Sequence, residues 1–149
     1  EYSTGMLSKL KIIIVTSLHA KILLLDEPTS GLDVIARNEV LDLLRDYMEQ
    51  NEEVSILISS HIASDLEGLC DEFYFVEKGK IILQEQDLES YALLKGVDET
   101  VDLSYALKRI GTTYLTNERQ FYVENYPNLV IAKAHIDDLM EYMIKGETI

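Results

Sequence analysis

Apolar positions recur at helical spacing over residues 3–18, where Met6, Leu7, Leu10, Ile14 and Leu18 share a face behind a Ser3 or Thr4 cap. The β-branched run at 12–15 pulls the other way, because such side chains fit a pleated strand better. The spacing still predicts a helix. Residues 21–25 form a short unbroken apolar run ending at Asp26, the pattern of a buried parallel strand. A turn rich in Pro, Thr, Ser and Gly follows at 28–33. An amphipathic helix is predicted over 34–49, with Val40, Leu43, Leu44 and Tyr47 inward. Residues 54–59 read as a second buried strand that stops at Ser60-His61, and 62–70 as a shorter helix. Runs at 73–76 and 80–83 flank Glu77-Lys78-Gly79, a loop suited to a hairpin.

Strand, helix, strand, helix and hairpin predict an α/β fold, a parallel sheet with an antiparallel edge hairpin. Beyond Glu85 the pattern changes to a small α+β tail. Residues 88–94 look helical, Gly96 interrupts them, and 100–109 fit either period. Short strands are predicted at 113–116, 120–124 and 129–133, and an amphipathic helix at 136–145. The boundary falls between Glu85 and Gly96, dividing 1–90 from 91–149.

Length and charge narrow the classes. With 149 residues the chain buries roughly 70% of its unfolded surface and needs no disulfide staple. Asp and Glu total 27 against 13 Lys and Arg, a net charge of -14. Such a surface repels phosphate backbones and anionic lipid, so no nucleic-acid partner is expected. Phosphate can still be held locally by N–H groups at a helix start. Cys70, the one cysteine, reads as a small buried hydrophobe in a reducing compartment. The apolar runs are too short to span a bilayer, and no signal peptide is visible. His19 and His135 read as structural residues, and the tail tyrosines Tyr105, Tyr114, Tyr122, Tyr126 and Tyr142 suit a binding face or, at least as well, strand and helix packing.

The candidate chemistry lies at 21–33, KILLLDEPTSGLD. A hydrophobic strand here delivers two adjacent carboxylates, Asp26 and Glu27, to its C-terminal end, where open α/β sheets bind ligands. One carboxylate can hold Mg²⁺ while the next polarises a water for attack on a phosphoryl group.

This string resembles the Walker B strand, catalytic glutamate and D-loop of ATP-binding cassette (ABC) ATPases. Upstream, Tyr2-Ser3-Thr4-Gly5-Met6 is similar to the family signature, with Thr4 in place of Gly and Met6 in place of Gln. Downstream, His61 after the second strand resembles the switch histidine of the H-loop. The three pieces stand in the family's order and cover about residues 1–90.

The resemblance implies a partial P-loop NTPase fold and a role for each matching residue. Asp26 would bind Mg²⁺, Glu27 would act as general base or orient water, and His61 would sense the γ-phosphate. Ser3 and Gly5 would contact ATP held by a second subunit, and Asp33 would reach across the same dimer interface. The implied function is an ATP-hydrolysing subunit of a bacterial ABC transporter, of exporter type. ATP and Mg²⁺ are its implied cofactors. A second ATPase subunit, identical or not, and membrane permease subunits are its implied partners, at the cytoplasmic face of the membrane. The alternatives are a soluble ABC-type ATPase without a transport role and a non-hydrolysing regulatory or structural half-domain.

No G-x-x-x-x-G-K-[ST] loop occurs in the sequence, and neither does the Q-loop of the family. The sequence is therefore expected to be the C-terminal portion of an ABC ATPase, with no ATP turnover of its own. Sheet edges and apolar surface left open by the missing part are expected to favour self-association.

Overall fold

The computed structural model describes residues 3–149; Glu1 and Tyr2, and with Tyr2 the first position of the signature-like stretch, lie outside the described residues. The chain divides into two compact units between Leu69 and Cys70.

In the first unit, helix α1 (Thr4–Thr16) starts at Ser3, whose Oγ accepts the Met6 N–H at 3.2 Å. It stops where Ser17 Oγ donates to the Ile13 carbonyl and Thr16 Oγ1 to that of Ile12, hydroxyls competing for the last helical carbonyls. Strand β1 (Ile22–Asp26) leads through the polar turn to helix α2 (Val34–Gln50). Asp33 caps α2, its Oδ1 accepting the Ala36 N–H at 2.9 Å. Strand β2 (Ser55–Ser59) pairs parallel with β1 in a register that sets Asp26 beside Ser59. A single turn of helix, α3 (Ala63–Leu66), follows.

The core of this unit is Ile12, Leu25, Leu32, Ala36, Val40 and Leu44, with Ile56 and Ile58 packed against it. Two expectations are corrected here. β1 is buried on one face only: Leu23 and Leu25 point inward, whereas Ile22 and Leu24 are exposed together with Leu57 of β2. In α1 the buried residue is Ile12, whereas Met6, Leu7, Leu10 and Ile14 are exposed, as is Leu18 just past its end. An apolar residue on nearly every side of this helix makes its spacing a poor guide to the inner face.

Helices α1 and α2 approach closely at Gly5, where an added Cβ would lie 2.8 Å from the Ala36 Cβ. Gly5→Ala should therefore destabilise this unit by about 1–3 kcal/mol through overpacking. That outweighs the roughly 1 kcal/mol that alanine gains over glycine in a helix. Urea unfolding followed by circular dichroism would show the sign.

The second unit begins with a hairpin, β3 (Phe73–Glu77) and β4 (Lys80–Glu85). Lys78 and Gly79 both have positive φ, 48° and 74°, the conformation of the two-residue turn that suits strand twist. The hairpin is a sheet of its own, not the edge of the parallel sheet as expected. Compactness groups it with the tail, whereas the boundary expected at 90/91 groups it with the parallel strands.

A 3₁₀ turn (Leu88–Ser90) leads into β5 (Ala92–Lys95), β6 (Ala106–Ile110) and β7 (Thr113–Thr116). Then come α4 (Arg119–Asn125), β8 (Val130–Lys133), α5 (Ile136–Lys145) and β9 (Glu147–Thr148). The five strands form an antiparallel sheet in the order β8-β5-β7-β6-β9. The helix expected at 88–94 is instead this turn and the inner strand β5: Ala92, Leu93 and Leu94 are all buried, with β5 paired between β7 and β8. The strand expected at 120–124 is instead α4, which seats Tyr122 in the core and brings its ring against those of Phe121 and Tyr126. The helix expected at 62–70 shrinks to α3: Glu67 at its end is already extended, with ψ 124°, and Gly68 follows at φ +73°.

Tyr122 Oη donates to the Asp102 carbonyl at 2.8 Å. Burial, with the Asp102 carboxylate adding its charge, pushes the phenol up to about 12. The unfolded phenol ionises near 10, so the folded state holds its proton longer. Its stabilising effect is complete below pH 10 and lost between about 10 and 12. Chemical melts across that range should show stability falling with pH, and less steeply in Tyr122→Phe.

Cys70 is half-buried, and burial, then the Asp71 carboxylate, pushes its thiol up, away from the reactive thiolate.

Candidate functional site

The parallel register brings the C-terminal ends of β1 and β2 side by side, and the chain leaves β1 with two carboxylates. Asp26 ends β1 with its side chain exposed. Ser59 Oγ donates to Asp26 Oδ1 at 2.6 Å, which fixes one carboxylate oxygen. The same Oγ accepts the Glu27 N–H at 3.0 Å, and that N–H also lies 3.1 Å from the Ser59 carbonyl.

Glu27 adopts φ +47°, a left-handed conformation that costs a non-glycine residue about 1 kcal/mol or more. The paired bonds to Ser59 hold this kink in place. It turns the Glu27 side chain towards His61, whose Nδ1 lies 2.6 Å from Glu27 Oε2. Asp26, Glu27 and His61 thus lie together just past the C-terminal ends of the two strands.

Ser3, Gly5 and Asp33 form a second group. Ser3 caps α1, Asp33 caps α2 through the Ala36 N–H, and Gly5 packs on the side chain of that same Ala36. No hydrogen bond among the described residues joins Ser3 or Gly5 to Asp26, Glu27 or His61.

Four further residues of the site were not evident from the motifs. Ser59 reads as the end of a strand until the two strands are put in register. Thr29 and Asp65 form a buried polar pair at the turn at 28–33, with the half-buried Arg37 beside them. Thr29 Oγ1 donates to Asp65 Oδ2 at 2.6 Å, with Thr29 1% and Asp65 3% exposed. Arg37 Nε stands 3.9 Å from Asp65 Oδ1, an ion pair without a hydrogen bond. The sequence offered one hint, a carboxylate four residues past His61, on the side of a short helix that faces inward.

Chemically, the site offers a carboxylate held by an imidazole, beside a second carboxylate with one oxygen committed to a hydroxyl. The described residues contain no cluster of three or more His, Cys, Asp or Glu able to enclose a metal ion by themselves. Magnesium does not need such a cage, since it commonly keeps several waters and takes one or two carboxylates plus phosphate. The free oxygen of Asp26 fits that mode.

SrtF, a lantibiotic transport ATP-binding protein of Streptococcus pyogenes, is 41% identical to this chain over 86 residues, 58% of the chain and 37% of SrtF. The ABC transporter ATP-binding protein YtrB of Bacillus subtilis is 30% identical over 130 residues, 85% of the chain and 44% of YtrB. The homologues of this chain include ABC transporter ATP-binding proteins. YdbJ of Bacillus subtilis, an uncharacterized ABC transporter ATP-binding protein, is 32% identical over 149 residues, 96% of the chain and 46% of YdbJ. No family model matches the chain. The chain spans less than half the length of these ABC relatives. Among the described residues no helix is long and apolar enough to cross a membrane.

Proposed function

We propose that these residues serve an ATP-hydrolysing subunit of a bacterial ABC transporter, of exporter type, built on a P-loop NTPase fold. The observation that carries this reading is the Glu27–His61 pair at 2.6 Å, set beside Asp26 at the C-terminal ends of two parallel strands. Residues 1–90 would be the part of the nucleotide-binding domain that follows its phosphate loop, and 91–149 an extension.

Glu27 would accept the proton of the attacking water or hold that water in line. His61 would keep the carboxylate aimed and approach the γ-phosphate. The ring reaches Glu27 through Nδ1, which leaves Nε2 for that second contact. Asp26 would hold Mg²⁺ through its free oxygen, with Ser59 keeping the carboxylate from turning. The metal supplies charge neutralisation for the phosphates when bound. Ser3 and Gly5, at a helix start where N–H groups favour anions, would meet ATP bound by a second ATPase subunit, and Asp33 would lie at that same interface. Permease subunits would anchor the pair at the cytoplasmic face of the membrane. The 149 residues alone contain no phosphate loop and would not turn over ATP.

The test is phosphate release with Mg²⁺ and ATP, run on the 149-residue chain and on a full-length polypeptide that pairs it with a phosphate-binding loop. Hydrolysis by the longer polypeptide alone is the expected result. Turnover by the short chain that disappears in Glu27→Gln would overturn the inactivity of the fragment. No turnover by either would overturn the enzymatic reading.

A further inference from the structure

We propose that Asp65 is a positioning residue that sets the approach of His61 to Glu27 and the seating of the helix start capped by Asp33. The roles of Glu27, His61 and Asp33 rest on the functional reading above; the positioning itself rests on geometry.

Two side-chain hydrogen bonds close a ring across the gap between the β1–α2 turn and the segment after β2. One is the exposed contact of Glu27 with His61, and the other is the buried contact of Thr29 with Asp65. Thr29 lies two residues past Glu27, and Asp65 lies four past His61. The exposed contact joins two side chains in water, where a single such contact holds little. The buried one is short and shielded from competing water, so it governs how far apart the two segments stand.

Asp65 reaches further. Its second oxygen faces Arg37 Nε at 3.9 Å, one helical turn past Asp33, so the same carboxylate of α3 hydrogen-bonds the turn and carries an ion pair to the first turns of α2. A carboxylate 3% exposed is a poor choice for stability alone, since apolar residues of similar volume commonly do as well or better. A directional, charged contact at this point fixes geometry that an apolar one would leave loose.

The experiment is ¹⁵N NMR on the 149-residue chain, comparing Asp65→Asn, Thr29→Val and Thr29→Ser with the parent. The readouts are the His61 ring nitrogen signals and hydrogen exchange of the Ala36 amide, the one that Asp33 caps. Asp65→Asn and Thr29→Val are expected to shift the His61 ring signals in the same direction. Both should speed Ala36 exchange about fivefold, the size of a lost helix cap. Thr29→Ser, which keeps the hydroxyl, should restore both. Variants that melt earlier but leave the His61 signals and Ala36 exchange unchanged would make Asp65 a merely structural residue and overturn the inference. Should Asp65→Asn not fold, the contrast between Thr29→Val and Thr29→Ser decides alone. Failure of ATP turnover in the longer polypeptide would sink the functional reading and leave these signals untouched.

Discussion

Glu27→Gln is expected to lower ATP turnover of a full-length polypeptide carrying these residues by about 10²- to 10⁴-fold, the usual range for a positioned general base. Glutamine keeps the shape of the side chain and can still hydrogen-bond the His61 ring 2.6 Å away, but it cannot take a proton. The backbone kink that aims the side chain depends on the Glu27 N–H and Ser59, so it should survive the substitution. Phosphate release at saturating Mg²⁺ and ATP measures the effect, and nucleotide binding in the same variant should be retained. Turnover close to that of the parent would remove Glu27 from the chemistry. His61 would then need a different partner for the same reading to stand.

The first unit was legible wherever local pattern and chain order agreed. The run at 21–25, the turn of small and polar residues and the periodic stretch at 34–49 became β1, its turn and α2 within a residue or two. What failed was direction. Leu24 and Ile22 belong to a run that reads as buried on both faces, yet only Leu23 and Leu25 are covered. A run of apolar residues states that a strand can be buried, and the neighbours decide whether it is. In the tail, long-range pairing overrode local pattern. Ala92, Leu93 and Leu94 have helix-compatible spacing, but their N–H and C=O groups are claimed on both sides by β7 and β8. Phe121, Tyr122 and Val123 look like strand residues, yet packing of the Tyr122 and Tyr126 rings is served by the four-residue step of a helix.

The site divides in the same way. Asp26, Glu27 and His61 were visible because motifs name residues that face outward at strand ends. Ser59, Thr29 and Asp65 were not, because each is defined by a partner more than thirty residues away, at separations of 33, 36 and 36. Serine and threonine in a turn carry no signal of their own, and the bonds appear only when β1 and β2 lie in register.

Leu44→Ala should cost the first unit about 3–5 kcal/mol, the upper part of the range for a buried leucine truncated to alanine. Leu44 is 1% exposed and belongs to a core of six residues that gathers α1, β1, the turn and α2. Such a small cluster has little spare packing to fill the cavity. The opposite face of the sheet, with Ile22, Leu24 and Leu57 exposed, contributes no burial to offset it. Whole domains are stable by only about 5–15 kcal/mol, so the loss is a large part of the total. Equilibrium urea unfolding followed by far-ultraviolet circular dichroism should show the midpoint falling with little change in slope. The His61–Glu27 contact should weaken at urea concentrations where the parent still holds it, since both residues follow directly on strands seated on this core. A midpoint unchanged by Leu44→Ala would mean that the surroundings collapse onto the gap, and that the six-residue core is softer than its burial indicates.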